Sequence, residues 1–192
     1  MNNRPTFTLP TPLRLEGFGI HLREWSDDDG PDLVAMYDDP EIDRWTPVAS
    51  PFDAEAARKY LAAARDQRAA GHSVQLAVIT DGGPAQGEIL LFRSAADERD
   101  VELAYGVGAA HRGHGLASRA VRLVTEYVVL HIAVRRVVLR IEEGNTASER
   151  VAKATGFALT DDEPVVRTAK GREVVLRTWS HPGGDAEQAA VL

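Results

Sequence analysis

Cysteine is absent from the 192-residue chain. That excludes disulfides, thiolate zinc sites and cysteine nucleophiles together, and it fits a reducing compartment, so a cytoplasmic location is expected. Long apolar runs are absent too. The longest apolar-rich stretch, Tyr127 to Val134, is interrupted by His131 and falls far short of the about 20 residues of a membrane span. The start, Met1-Asn2-Asn3-Arg4-Pro5, carries no apolar signal core, so neither export nor membrane attachment is expected. A basic surplus is missing: 22 Lys+Arg stand against 29 Asp+Glu, a net charge of −7. General nucleic-acid binding needs a cationic face to displace phosphate counterions, so it is argued against. No Gly-Lys-Ser/Thr, Gly-x-Ser-x-Gly or His-Glu-x-x-His occurs, which removes the phosphate-loop nucleotidases, the serine hydrolases and the simplest zinc hydrolases. His111 and His114 are three apart, but they sit in a Gly-rich segment without carboxylates at ligand spacing; no metal is expected.

What is present is an ordinary globular composition. Hydrophobic residues at 44% and charged residues at 27% suffice for a core. With no linker or repeat in between, residues 13–180 are expected to form a single domain. Residues 1–12, with Pro5, Pro10 and Pro12, are an irregular lead-in, and 181–192 are expected to be a flexible tail. Alternation at Phe18, Ile20 and Leu22 predicts a first strand. Ser26 can cap a helix reaching Tyr37, Pro40 and Pro47 punctuate a loop, and Asp53 opens an Ala-rich helix ended by Gly71. Strands around Val74–Val78, Ile89–Phe92 and Val101–Tyr105, with short connections, predict an antiparallel meander. A helix follows over 116–131, then a strand at Val137–Ile141, a helix opened by Asn145 and stopped at Gly156, and strands at Phe157–Leu159 and Val174–Leu176. An antiparallel first half joined to a β-α-β-α-β second half is an α+β mixed sheet, not a doubly wound parallel one.

The informative segment is Tyr105-Gly106-Val107-Gly108-Ala109-Ala110-His111-Arg112-Gly113-His114-Gly115-Leu116-Ala117, between a strand and a helix. Small residues let a ligand approach the backbone, and a helix N-terminus offers free N–H groups at the positive end of its dipole. Physically this is a cradle for a pyrophosphate, to which Arg112 adds a charge. A Gly-rich turn without a ligand has the same appearance. A dinucleotide site would want Gly or Ala where Ser118 stands, and would want the loop after the first strand of a parallel series.

Arg112-Gly113-His114-Gly115-Leu116-Ala117 resembles the acetyl-CoA loop, Arg/Gln-x-x-Gly-x-Gly/Ala, of the GNAT N-acetyltransferase superfamily. Leu13–Arg23, Tyr37-Asp38-Asp39-Pro40-Glu41-Ile42, Glu102-Leu103-Ala104-Tyr105 and Asn145-Thr146-Ala147-Ser148 with Gly156-Phe157 are similar, in order, to segments of its ribosomal-protein alanine acetyltransferase-like (RimJ/RimL-like) branch. The resemblance implies a mostly antiparallel sheet of about seven strands, flanked by about four helices and splayed between strands four and five. It implies acetyl-CoA as co-substrate and a primary amine as acceptor, either a peptide or protein N-terminus or a small amine, attacking directly in a ternary complex. The chain would act as a monomer or homodimer. Loop residues Arg112, Gly113, His114, Gly115, Leu116 and Ala117 would hold the pyrophosphate. Tyr105, Gly106 and Val107 would bind the pantetheine, and Asn145 would touch it while capping its helix.

Glu102 would take the amine proton, or be a solvated strand charge. Many family members place a Tyr seven residues after the Asn to protonate the thiolate; here that position is Ala152. Ser148 resembles the Ser used in the ribosomal-protein branch, or is a surface serine. The missing Tyr keeps a catalytically silent acyl-CoA-binding domain as the alternative. Residues 27–43 hold eight acids and no Lys or Arg. Asp39, Glu41 and Asp43, with Trp45 and Phe52, would edge an acceptor groove suited to a cationic amine, or the acids serve helix starts.

Overall fold

In a computed structural model, residues 9–183 are described. The parts of the expected lead-in and tail at 1–8 and 184–192 lie outside them. The elements run β1 (Arg14–Gly17), β2 (Ile20–Glu24), α1 (Gly30–Tyr37), α2 (Pro40–Trp45), α3 (Ala54–Ala69), β3 (Ser73–Ile79), β4 (Gly87–Arg93) and β5 (Asp100–Val107). Then follow α4 (Leu116–His131), β6 (Arg136–Glu142), α5 (Thr146–Ala154), β7 (Ala158–Leu159), β8 (Val165–Ala169) and β9 (Arg172–Pro182). One sheet has the order β1-β2-β3-β4-β5-β6-β9-β7, with β8 also on β9. All pairings are antiparallel except β5 with β6, so the α+β mixed sheet and the meander are as expected.

The described strands number nine rather than about seven, and the α-helices five rather than about four. Each addition has a local cause. Phe18 and Gly19 both take positive φ and turn the chain back, so one expected strand is the hairpin β1–β2. Lys170 and Gly171, at φ 52° and 75°, do the same for β8–β9. Helix α2 lies where a proline-punctuated loop was expected. Asp39 caps it by accepting from the N–H groups of Glu41 and Ile42, and Pro40 occupies the first turn, where its missing N–H costs nothing. β9 runs to Pro182, two residues into the segment expected to be tail.

Strand alternation gives the sheet two faces. Val101, Leu103 and Tyr105 of β5, with Val137, Leu139 and Ile141 of β6, face α4 and α5. Helix α4 turns Val121, Val124 and Val128, all fully buried, into that core; burying each contributes about 1.5–3 kcal/mol. On the opposite face α1–α3 pack through Leu33, Met36, Tyr37, Phe52 and Leu61. Tyr37, Phe52 and Tyr60 meet edge to face, with centroids 5.2–6.0 Å apart.

The feature that positions a site is the divergence of β5 from β6. They pair only over Asp100–Leu103 against Arg136–Leu139, although β5 continues to Val107 and β6 to Glu142. The paired end is clamped by Asp100, wholly buried, which accepts from Arg135 Nε and Nη2 and from Arg136 Nε at 2.8–3.0 Å. Beyond Leu103 the strands splay, as the resemblance implied.

Candidate active site

The strand-to-helix loop leads from β5 at the splay to α4. Gly113 and Gly115 have φ of +79° and +72°, and a Cβ on either would meet nothing within 4 Å. The residue at the start of α4, Gly115, supplies no side-chain cap, so the first N–H groups of the helix remain for a ligand. A phosphate fits this end: open backbone, free donors and the positive end of a 16-residue helix dipole. His114 is exposed, whereas the Leu116 side chain enters the core, so Leu116 can contribute only its backbone. Arg112 donates Nε to the Val107 carbonyl (3.1 Å) and Nη2 to Asp39 (2.5 Å), tying the loop to α2. Asn145 caps α5 by accepting from the Ser148 N–H at 3.1 Å. The Tyr105 hydroxyl donates to the Ser148 carbonyl at 3.3 Å across the α5 side of the splay. Burial pushes the Tyr105 phenol up to about 12, so it keeps its proton at neutral pH.

On the opposite face lies an open well. Ala104 is exposed, although it sits on the fifth strand of the sheet, with Leu90 and Phe92 half-buried beside it. Tyr37 and Ile42 stand over Gly106, where a Cβ would lie 3.4 Å from the Ile42 side chain. The β8–β9 hairpin bounds the other side. Its tip is latched to α2: Lys170 Nζ donates to Asp43 at 2.6 Å, and Arg172 donates to Glu142 and to the Arg44 carbonyl. Glu102 lies at the paired end of this face, 1% exposed, and accepts from Arg167 Nη2 through both oxygens at 2.7 and 2.8 Å. Arg140 Nε is 3.7 Å from Glu102, and its Nη1 donates to the Thr178 hydroxyl.

The sequence-predicted residues thus divide. Glu102, Tyr105, Gly106, Val107, the loop 112–117, Asn145 and Ser148 gather around the splay. The five residues expected to edge an acceptor groove surround α2, but each has a local partner. Asp39 is a cap and holds Arg112; although burial raises its pKa, Arg112 and the backbone N–H groups bring it below the usual carboxylate range. Asp43 holds Lys170, which lowers its pKa. Glu41 accepts from the Trp45 indole at 3.0 Å, Trp45 carries the Arg44 guanidinium on its ring, and Phe52 is buried in the helical core. Ala152, where a Tyr would be usual, is fully buried in the main core.

Sequence reasoning missed three groups. Arg140 and Arg167 flank Glu102. Glu88, wholly buried, accepts from Trp25 Nε1 (2.6 Å), Tyr60 (2.6 Å) and Tyr37. Burial raises the Glu88 pKa, and its three donors pull it back only in part. The available signal was a charge inside an otherwise apolar strand, as in Gly87-Glu88-Ile89-Leu90 and Val138-Leu139-Arg140-Ile141.

A splayed mixed sheet with an uncapped, glycine-opened helix start on one side and a well on the other defines an acyl-CoA-dependent transferase. The comparisons agree: residues 20–158 match the acetyltransferase (GNAT) domain model, and the chain belongs to that family of N-acetyltransferases, which take acetyl from acetyl-CoA. An uncharacterized N-acetyltransferase p20 of Bacillus licheniformis is 24% identical over 162 residues, 84% of this chain and 91% of that one. The Salmonella typhimurium acetyl transferase that modifies the N-terminal serine of ribosomal protein L7/L12 superposes with a TM-score of 0.75 at 14% identity, over 88% of this chain and 99% of that one. The microcin C7 self-immunity acetyltransferase MccE, solved with acetyl-CoA and AMP, gives 0.74 at 14% identity over 86% and 93%. Among the described residues no helix is long and apolar enough to cross a membrane.

Proposed function

We propose that this chain joins acetyl-CoA and a primary amine across the splay, and that Glu102 accepts the proton of the attacking amine. The observation that carries the reading is the well at Ala104, which opens the acceptor face of the sheet beside a buried carboxylate. Acetyl-CoA supplies an activated acyl group on a good leaving thiolate. The N–H groups at 113–117 hold its pyrophosphate, and Arg112, tied to Asp39 and to the Val107 carbonyl, fixes the loop that presents them. The backbone of β5 from Tyr105 to Val107, paired with β4 but unpaired on its β6 side, orients the pantetheine, beside Asn145. An amine in the well reaches the acyl carbon from the face of Glu102. Ser148, on the first turn of α5, donates to the departing sulfur, with the Tyr105 phenol close by as a fixed neutral donor. Because Asp39 and Asp43 are engaged by Arg112 and Lys170, α2 acts as a wall that orders the acceptor side.

The test is thiol release from acetyl-CoA across a panel of peptide N-termini and small amines. Turnover with at least one class is expected, and Glu102→Gln should lower it by about 10²–10⁴-fold while acetyl-CoA still binds. Binding of acetyl-CoA without turnover of any amine would instead leave an acyl-CoA-binding domain. Near-normal turnover in Glu102→Gln removes the base assignment.

A further inference from the structure

Around the well guanidinium groups crowd two carboxylates. The β6 wall and the hairpin above it present Arg140, Arg167 and Arg172, and Arg44 reaches in from α2, with Glu102 and Glu142 as their ion-pair partners, while Asp100 and Asp162 also act on Arg140 electrostatically. Glu142 is committed to Arg172 through two bonds of 2.9 and 3.0 Å, with Arg44 at 3.8 Å. Glu102 is left to serve two guanidinium groups. It hydrogen-bonds Arg167, and Arg140, paired with it at 3.7 Å and bonded through Nη1 to Thr178, keeps one N–H, Nε, without a hydrogen bond. The Arg140 side chain is 4% exposed, and its Nε, directed at Glu102 from 3.7 Å, has no hydrogen-bond partner. A buried guanidinium N–H left without a hydrogen bond is costly, because its desolvation is not offset. A buried group of this kind needs a cause, and a ligand that completes it is one. The complement that Nε lacks is a hydrogen-bond acceptor.

The pairing of Glu102 also obstructs its own chemistry. A carboxylate holding an arginine through both oxygens is a poor base, and its lone pairs are taken. The partner is the more exposed of the two arginines: Arg167, on the β8–β9 hairpin, is 40% exposed, whereas Arg140 is 4% exposed. A ligand bearing both an amine and an anion can exchange partners without stranding a charge. Its anion takes Arg167 and the free Nε of Arg140, and its amine takes the released Glu102.

We infer that the acceptor is a primary amine carrying a carboxylate a few bonds away, and that Arg140 and Arg167 recognise that carboxylate. The inference rests on the transferase reading above and names its substrate class. It also gives Arg167 a double part, masking Glu102 in the free protein and binding the acceptor in the complex. Two sources supply this chemistry: a free amino acid, and a peptide with an acidic first or second residue. Of the acids on α2 and its cap, Asp39 and Asp43 are engaged by Arg112 and Lys170, and Glu41 by the Trp45 indole.

The experiment compares kcat/KM at fixed ionic strength for free aspartate and glutamate, for C-terminally amidated tetrapeptides beginning Asp-Ala, Ala-Asp, Ala-Ala and Lys-Ala, and for an uncharged alkylamine. At least one carboxylate-bearing acceptor should exceed Ala-Ala by 10-fold or more, and Lys-Ala should be poorest. Preference for the free amino acids or for the acidic peptides assigns the source. In Arg167→Gln, an exposed substitution on the hairpin, the acidic-to-neutral ratio should fall to within about 2-fold of one. The Arg140→Lys protein, which keeps the charge, should retain part of it. Equal or better use of neutral or basic acceptors, or an acidic preference untouched by Arg167→Gln, overturns the inference while leaving acetyl transfer standing. Absence of turnover with every acceptor, despite acetyl-CoA binding, would overturn the transferase reading and this inference with it.

Discussion

Ser148 shows how little a single side chain is fixed by its position in a motif. Its N–H completes the Asn145 cap and its carbonyl receives the Tyr105 phenol, which leaves the hydroxyl as the one group able to turn toward the splay. Its effect belongs to the breaking bond, because the sulfur becomes basic only as the thioester opens. Ser148→Ala should therefore lower kcat by about 10-fold, about 1.4 kcal/mol, with the KM for acetyl-CoA little changed. An unchanged kcat, measured where chemistry limits the rate, would transfer the role to water or to the phenol. Gly115 gives a second test at this scale. A β-branched residue at φ +72° is strained by about 1–2 kcal/mol, and its side chain fills the space over the free N–H groups. Gly115→Val should retain its circular dichroism spectrum and lose acetyl-CoA affinity by 10-fold or more in a calorimetric titration. Undiminished affinity would show that the loop does not hold the pyrophosphate.

At the scale of elements, the helical layer over the acceptor face is held by a polar contact beneath an apolar one. Trp25 after β2, Tyr37 on α1 and Tyr60 on α3 all donate to Glu88 of β4, and Tyr60 also receives Gln75 of β3 at 3.2 Å. Glu88→Leu preserves approximate size and strands buried donors, each at a cost of about 1–3 kcal/mol. Urea unfolding should show a loss of about 3 kcal/mol or more, and a loss under 1 kcal/mol would mean that the aromatic packing alone carries the layer. The elements themselves were largely legible. The 116–131 helix is found as predicted, because its Val positions recur at helical spacing and Gly115 marks its start. Helix α2 was not, because the prolines that also suit a first helical turn were read as loop punctuation. Nor was β8, whose alternation is masked by exposure on both of its faces until β9 folds back on it.

For the molecule as a whole, the carboxylates oppose one another in pH. Burial raises Asp29, yet Arg23 and Ser26 bring it below the usual range, and Glu142 and Asp162 are lowered first by Arg172 and Arg136. These groups hold fewer protons folded than unfolded, so their stabilisation is present above the unfolded pKa, about 4, and is lost as pH falls through the folded values. Glu88 has the opposite sign. Raised by burial, it stabilises fully below its unfolded value near 4.5 and loses that contribution as pH rises through the folded one. Urea midpoints should fall steeply from pH 5 to pH 3, and should decline gently above pH 4.5 in the wild type only, with a flat profile in Glu88→Leu; an equal slope in both would contradict the assignment to Glu88. Local spacing in the sequence determined the order of strands and helices and the mixed sheet, and the resemblance of its motifs to one family implied the splay and the residues expected around it. Tertiary structure decided what those residues can do. Glu102 was open between a base and a solvated strand charge, and the fold buries it and brings Arg140 of β6 and Arg167 of β8, 38 and 65 positions away, against it. The acids of α2 were open between an ammonium groove and helix-start acids, and the fold brings Arg112 against Asp39, which also caps α2, and Lys170 against Asp43. Local pattern specifies backbone geometry, which depends on near neighbours. The charge state of a site depends on whichever groups the fold places within a few ångströms, and no spacing along the chain encodes that.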